Sequence, residues 1–197
     1  FGSKHENEKA MLKAQVEAYR SINGQPIQVQ VPDPDNEGEM VTVTIRPDIT
    51  MFNYGVNWGG VGCLSSLFGG WGQSKDMNAQ SLRTLNTNAN ATLRDLQSQI
   101  DNATNPEEKK SLQTKANAIN TLLRQINSID QSKTYSSDGH EAYKMASRIA
   151  VLTHLLGGVP AWNCKSGKDR TGIMDVECKF IATLAALGKD IPEPGAI

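Results

Sequence analysis

The chain has 197 residues, of which 38% are hydrophobic and 21% charged, and its formal net charge is −1. This composition is typical of a globular protein, and the length allows a sizeable core in one or two domains. The balanced charge excludes a general nucleic-acid binder, and no run of residues is apolar enough to predict a membrane-spanning helix.

The first 50 residues predict a helix followed by a β-hairpin. Apolar residues recur at helical spacing over Glu6–Ile22, and Asn23-Gly24 ends the pattern. Two runs of alternating apolar and polar residues follow, at 27–31 and 41–45. An acidic segment rich in turn-forming residues joins them, so we expect two antiparallel strands and a solvated turn.

Residues 55–72 contain seven glycines together with Trp58, Phe68 and Trp71. So much glycine disfavours regular structure. Two interpretations stay open: an irregular loop whose aromatic side chains pack into the core, or a mobile loop near a site or a membrane surface.

Two long helices are predicted next, over residues 79–100 and from Pro106 onward. Pro106 suits the first turn of a helix, and the acidic residues that follow it suit the helix dipole. Together the helices predict a helical hairpin over residues 77–130. It is either a packing pair or an arm that binds a partner.

The last third of the sequence predicts a helix, a short buried strand and a final helix. The first helix starts near Ala142 and ends at Gly157-Gly158, and the strand is Val159–Trp162. The final helix begins near Thr171. Its predicted buried face consists of Ile173, Val176, Phe180, Leu184 and Leu187.

Residues 163–172, with the sequence Asn-Cys-Lys-Ser-Gly-Lys-Asp-Arg-Thr-Gly, are the most informative segment. Cys164 and Arg170 are separated by five residues, and the segment leads into the final helix. The N–H groups of such a turn and of a helix N-terminus converge on one point, where Gly167 allows close approach of a phosphoryl group. The segment therefore predicts a phosphate-binding loop. The alternative is a buried structural cysteine beside a solvated basic turn.

The polar side chains of this loop suit phosphoryl transfer. A positive field lowers the pKa of the Cys164 thiol, so its thiolate is ready to attack phosphorus. Arg170 can bind two phosphate oxygens and stabilise their charge in the transition state. Ser166 and Thr171 can donate hydroxyl hydrogen bonds to the sulfur.

The charged residues between Cys164 and Arg170 indicate the ligand and the proton donor. Lys165 and Lys168 suit a ligand with more than one phosphate. Asp169 is the candidate general acid for the leaving oxygen. Alternatively, Asp169 is an ion-pair partner of the lysines, and Asp175 or Asp138 supplies the proton.

Neither a cofactor nor a metal site is predicted. The three cysteines do not have zinc-ligand spacing, and the histidines are scattered. An odd number of cysteines is typical of reduced thiols in a reducing compartment.

Two segments of the chain resemble a known family. Residues 160–172 closely resemble the loop of the bacterial type III secreted inositol phosphate phosphatases of the SopB and IpgD kind. The loop is also similar to that of the animal inositol polyphosphate 4-phosphatases. A second segment, Phe52-Asn53-Tyr54-Gly55-Val56-Asn57, is similar to a Phe-Asn-x-Gly-x-Asn motif of both groups. An acidic residue usually follows that motif, whereas this chain has Trp58.

The resemblance implies a 4-phosphatase-like enzyme that acts on phosphoinositides or inositol polyphosphates through a phosphocysteine intermediate. It also implies secretion into the host cell cytoplasm, action at host membranes, and a protein longer than this chain. A Rho-family GTPase and a secretion chaperone are implied partners through regions mostly outside the chain. Asn53 and Asn57 would then orient substrate or brace the loop, or else hold a local turn.

We therefore expect a helix-dominated α/β or α+β fold, with a strand, a phosphate loop and a helix arranged as in cysteine phosphatases. Residues 1–197 would form one catalytic-type domain or a fragment of it. Two other functions stay open: a module that binds a Rho-family GTPase, and a protein tyrosine phosphatase. The paired lysines and the lack of a Trp-Pro-Asp motif weigh against the tyrosine phosphatase.

Overall fold

The computed structural model describes residues 4–54, 72–135, 141, 143–162 and 169–196, with only the backbone for 4–9, 72–73 and 169–170. The described residues form five helices and one two-stranded sheet. Contacts between Cα atoms divide the chain into two compact units, Phe1–Met51 and Phe52–Ile197. The helix-dominated prediction is confirmed.

The first unit contains helix α1 (Lys4–Ile22) and strands β1 (Ile27–Pro32) and β2 (Met40–Ile45). The strands are antiparallel, with Val29 opposite Val43. Along each strand, half-buried residues alternate with exposed ones, as the period of two in the sequence predicts. The helix and the hairpin predicted from this part of the sequence are therefore confirmed.

The acidic turn of the hairpin is stabilised by Asp33. Its carboxylate accepts hydrogen bonds from the backbone N–H of Asp35 at 2.9 Å and from the side-chain amide of Asn36 at 2.8 Å. The Asn36 bond, followed by the Asp35 N–H, lowers the pKa of the Asp33 carboxyl. These local bonds are those of an Asx turn, so Asp33 is explained by turn formation.

The second unit is built from helices α2 (Gly72–Asn102), α3 (Pro106–Ser132), α4 (Lys144–Leu155) and α5 (Asp169–Ala186). Helix α3 begins as predicted: Pro106 lies in its first turn, and the Asn105 side chain accepts the N–H of Glu107 at 2.8 Å. Helices α2 and α3 pack against each other. A reciprocal pair of amide bonds joins Asn86 and Asn127, at 2.9 and 3.2 Å.

Helix α3 lies at the centre of this unit, since it contacts α2, α4 and α5. Large apolar side chains with almost no exposure form the middle of the core; they are Ile119, Leu122, Ile126, Ile129, Met145, Leu152 and Ile181. Among the described helices, none has both the length and the apolarity that crossing a bilayer requires.

Candidate active site

The predicted phosphate loop lies between α4 and α5. Residues 163–168, which include Cys164, Lys165, Ser166, Gly167 and Lys168, are outside the described part of the chain. Asp169 and Arg170 form the first turn of α5, and only their backbone is described. Thr171 follows in the same turn and is half-buried. The roles of these residues therefore stay predictions.

Helix α4 ends at a close turn before the loop. Gly157 has a φ of +86°, a left-handed conformation that favours glycine. A Cβ atom on Gly158 would lie 2.9 Å from the Thr153 Cγ2 atom and 3.2 Å from the Thr153 carbonyl oxygen. The N–H of Gly158 also donates to that oxygen at 2.9 Å. The predicted end of α4 at this glycine pair is confirmed, and it fixes the direction in which the chain leaves towards the loop.

The strand predicted over Val159–Trp162 is wrong. These four residues have no regular secondary structure, and the Val159 side chain is 92% exposed. A strand needs a neighbour for its N–H and C=O groups. Among the described residues the only strands are β1 and β2, which pair with each other. Trp162 is the residue of this segment that packs against the core.

The face predicted to be buried on α5 is also wrong. Four of its five residues, Ile173, Val176, Phe180 and Leu187, are between 43% and 66% exposed. The buried apolar residues of the helix are instead Met174, Cys178, Ile181 and Ala185. Helix α5 therefore presents its Ile181 side to α3 and α4 and leaves the Val176 side uncovered by the described residues.

Cys178 does not have the properties of a nucleophile. Burial, followed by the charges of Glu177 and Asp175, raises the pKa of its thiol to about 11. Its Sγ lies 3.9 Å from the carbonyl oxygen of Ser147 on α4. A buried thiol of this kind stays protonated and acts as a packing group. Asp175, one of the alternative acids, forms a surface ion pair with Lys179 at 2.6 Å.

A buried polar cluster that the sequence analysis missed lies between α3 and α4. Arg148 has no exposed surface, and its Nη1 pairs with Glu141, whose side chain is also fully buried. The Nε of Arg148 donates to Gln125 Oε1 at 2.7 Å, and Nη2 donates to the Pro192 carbonyl at 3.0 Å. The sequence did contain a signal, because Arg148 lies on the same helical stripe as Met145 and Leu152.

Glu177 belongs to the same region of the core. It lies on α5, is 8% exposed, and its Oε2 atom has no hydrogen-bond partner among the described residues. Burial, followed by the negative charge of Glu141, raises the pKa of the Glu177 carboxyl; the Ser147 hydroxyl and the charge of Arg148 act in the opposite direction. This carboxyl therefore favours its protonated form more than an exposed glutamate does.

The second motif segment is held by α2. Asn53 donates from its side-chain amide to Ser74 Oγ at 3.0 Å. The side chain of Asn78 accepts the Asn53 N–H and donates to the Asn53 carbonyl, each at 2.8 Å. These contacts brace the segment against α2, and a role of Asn53 in orienting substrate stays a prediction. Its predicted companion, Asn57, lies outside the described residues.

The aromatic residues of the second motif pack against the end of α3. Tyr54 stacks on Tyr135 with ring centroids 5.2 Å apart and on Phe52 at 6.1 Å. The Tyr135 hydroxyl donates to Asp130, to which Lys133 also binds at 3.2 Å. Burial raises the pKa of the Tyr54 hydroxyl. The motif is thus anchored by two kinds of contact, amide bonds to α2 and ring stacking at α3.

Within the described ranges, no group of three or more His, Cys, Asp or Glu side chains could hold a metal ion. The cysteine-based mechanism predicted for the loop requires neither a metal nor a cofactor.

Comparison with known proteins identifies the family of this chain. The family model described as Enterobacterial virulence protein IpgD matches residues 2–184, so the chain belongs to this family. The resemblance seen at residues 160–172 and 52–57 is therefore confirmed.

The relatives are proteins named inositol phosphate phosphatase. The chain is 39% identical over 175 residues to SopB of Salmonella bongori, covering 88% of this chain and 39% of that protein. It is 36% identical over 182 residues to SopB of Salmonella typhimurium, covering 87% and 29%. It is 33% identical over 179 residues to IpgD of Shigella flexneri, covering 87% and 30%. The chain thus spans less than half the length of these curated relatives.

Proposed function

We propose that the chain carries the catalytic loop of a phosphoric monoester hydrolase that acts on inositol polyphosphates or phosphoinositides. The observation that carries this proposal is the spacing of Cys164 and Arg170. Cys164 precedes α5 in the sequence, and Arg170 belongs to the first turn of that helix. The family and the names of its relatives support the same substrate class. A helix of this length has a partial positive charge at its N-terminus, which favours a bound phosphate.

The first chemical step transfers the phosphoryl group to sulfur. The thiolate of Cys164 attacks phosphorus, a sulfur–phosphorus bond forms, and the bond to the inositol oxygen breaks. Asp169 donates its proton to that leaving oxygen. Arg170 binds the equatorial oxygens, whose charge it stabilises in the transition state.

The second step regenerates the enzyme. The carboxylate of Asp169 accepts a proton from a water molecule, whose oxygen attacks the phosphorus of the phosphocysteine. The sulfur–phosphorus bond breaks, inorganic phosphate is released, and Cys164 returns to its thiolate form. Lys165 and Lys168 bind additional phosphates of the substrate, which gives multiply phosphorylated inositol rings an advantage over a single phosphotyrosine.

The proposal also includes the place where the enzyme acts. The family is one of enterobacterial virulence proteins, which supports delivery by a type III system into the host cell and action at host membranes. The Rho-family GTPase and the secretion chaperone rest on the resemblance alone. The phosphatase proposal does not depend on them.

The test is a phosphate-release panel with matched cysteine variants. Inositol hexakisphosphate, short-chain phosphatidylinositol phosphates and a phosphotyrosine peptide are compared with the parent protein, Cys164→Ser and Cys178→Ser. We expect release from the inositol substrates, its loss in Cys164→Ser, and its retention in Cys178→Ser, since Cys178 is a packing residue. Equal activity of Cys164→Ser and the parent would refute the mechanism, and faster turnover of the peptide would favour a tyrosine phosphatase.

A further inference from the structure

We propose that Arg148 is a positioning residue for the phosphate loop, acting through its buried contacts rather than by touching substrate. The proposal rests on the proposed function, because it concerns the same loop. Arg148 lies on α4, which leads into residues 163–168, and it binds the segment that follows α5, the helix leading out of them. One side chain therefore joins the chain before the loop to the chain after it.

The guanidinium of Arg148 is held on all three of its nitrogen atoms. Nε donates to Gln125 at 2.7 Å, and Nη2 donates to the carbonyl of Pro192 at 3.0 Å. Nη1 pairs with Glu141 and also donates to the carbonyl of Lys144 at 3.0 Å. A planar group bound in this way fixes both the position and the rotation of α4 relative to its partners.

The segment after α5 is tied to the same cluster by further bonds. Gln125 donates its side-chain amide to the carbonyl oxygens of Ile191 at 3.2 Å and Pro192 at 3.0 Å. The N–H of Gly195 donates to Glu141, the carboxylate that pairs with Arg148. Residues 191–195 are thus held against α3 and α4 by groups that also hold Arg148.

The middle of α5 contacts α4 next to Arg148. The Cys178 thiol lies 3.9 Å from the carbonyl of Ser147, the residue before Arg148. Glu177 is near enough to Arg148 and Glu141 for both charges to affect the pKa of its carboxyl. Helix α5 is therefore held against α4 at Cys178, and the segment after it is held by the Arg148 cluster. These contacts constrain the position of the helix whose first turn includes Arg170.

The energetics favour a positioning role. Burying an ion pair has a desolvation cost, and apolar residues of the same volume are often as stabilising or more so. A buried Arg–Glu pair therefore suggests a requirement for geometry rather than for stability alone. A phosphate loop has that requirement, since a displacement of about 1 Å can reduce catalysis by about 100-fold.

The experiment compares Arg148→Lys and Gln125→Leu with the control Arg124→Gln. Lysine keeps the charge of Arg148 but loses its planar fork. Leucine keeps the approximate volume of Gln125 but makes none of its bonds. Arg124 is exposed and also contacts the segment after α5, through both carboxylate oxygens of Glu193, but it is not among the described residues that bind Arg148. The control therefore removes a contact to the same segment and leaves the buried cluster intact.

Two readouts are measured on the full chain, well below its melting temperature. The first is kcat and KM with p-nitrophenyl phosphate; the second is the pH midpoint of iodoacetamide alkylation of Cys164, resolved by peptide mapping. In both cluster variants we expect kcat to fall by about 10-fold or more, with KM changing by less than about 3-fold. We expect the alkylation midpoint to rise by about one pH unit, because the thiolate loses aligned donors. Arg124→Gln should match the parent.

A purely structural role would lower the melting temperature and leave the Cys164 midpoint and kcat of the folded variants unchanged, and that result would overturn the proposal. If neither cluster variant folds, the cluster serves the fold and the proposal also fails. Failure of the proposed function would look different. The parent protein itself would then release no phosphate in a manner that depends on Cys164, and its Cys164 would already titrate like an ordinary thiol.

Discussion

Asn78 binds both backbone groups of Asn53. Its side-chain oxygen accepts the Asn53 N–H, and its side-chain nitrogen donates to the Asn53 carbonyl, each at 2.8 Å. A single side-chain amide thereby satisfies both backbone groups of this residue. This contact anchors the start of the second family motif to α2. Ser74, one turn earlier on the same helix, accepts a further hydrogen bond from the Asn53 side chain.

Replacing Asn78 by alanine should destabilise the protein by about 1 kcal/mol, since two hydrogen bonds are lost and the better helix propensity of alanine compensates only in part. Urea unfolding measures the change. Asn90→Ala is the matched control on the same helix, because among the described residues the exposed Asn90 amide bonds only to the carbonyl of Asn86. That variant should be neutral or slightly more stable. An equal loss in both variants would show that the Asn53 contact contributes nothing.

The two sides of α5 should differ strongly in their sensitivity to substitution. Ile181 has no exposed surface, and Ile181→Ala should destabilise by about 2–5 kcal/mol through lost burial and the cavity that remains. Val176 is 66% exposed, and Val176→Ala should change stability by less than about 0.5 kcal/mol. Chemical denaturation of the two variants measures this contrast. A larger loss of stability in Val176→Ala than in Ile181→Ala would mean that the face predicted from the sequence is the buried one.

This helix shows where periodicity stops being informative. It has one apolar stripe through Ile173, Val176 and Phe180 and another through Met174, Cys178 and Ile181. When apolar residues occur on both sides of a helix, spacing predicts the helix but not the side that faces the core. The prediction was right about the element and wrong about its orientation, because tertiary contacts with α3 and α4 decide the orientation.

Elements with a single strong pattern were predicted correctly. The alternation at Val29, Val31 and Val43 predicted the two strands of the hairpin, and Pro106 marked the start of α3. The buried Arg148 cluster was missed for a different reason. Two of its partners, Gln125 and Pro192, are 23 and 44 residues away from Arg148. The position of Arg148 on the apolar stripe of α4 indicates that its side chain is buried, but it does not identify these partners.

Stability should depend on pH through Glu177. Its folded-state pKa is raised above the ordinary value of 4.5, first by burial and then by Glu141, so the folded state holds the proton more tightly than the unfolded state. Below 4.5 both states are protonated; as the pH rises through the folded pKa, a charge forms in the core and stability falls. Glutamine does not titrate. Glu177→Gln should therefore gain stability relative to the parent as the pH rises above 4.5.

Melting temperatures of Glu177→Gln and the parent at several pH values test this prediction. Asp175→Asn, on the exposed side of the same helix, controls for the loss of one negative charge. The stability gain of Glu177→Gln should grow as the pH rises, and it should exceed any change in stability seen in Asp175→Asn. A difference for Glu177→Gln that shrinks as the pH rises would mean that its carboxylate is stabilised, not penalised, in the folded state.

The ionisation of Cys164 is the measurement that tests the central claim most directly. Iodoacetamide alkylation is followed against pH in the folded parent protein, and peptide mapping separates the cysteines. Cys178 serves as the internal reference, because burial raises the pKa of its thiol to about 11. The account predicts a midpoint for Cys164 below about 7, since backbone amides and Arg170 stabilise the thiolate. A midpoint at or above about 8.5, the value for an unperturbed cysteine, would contradict it.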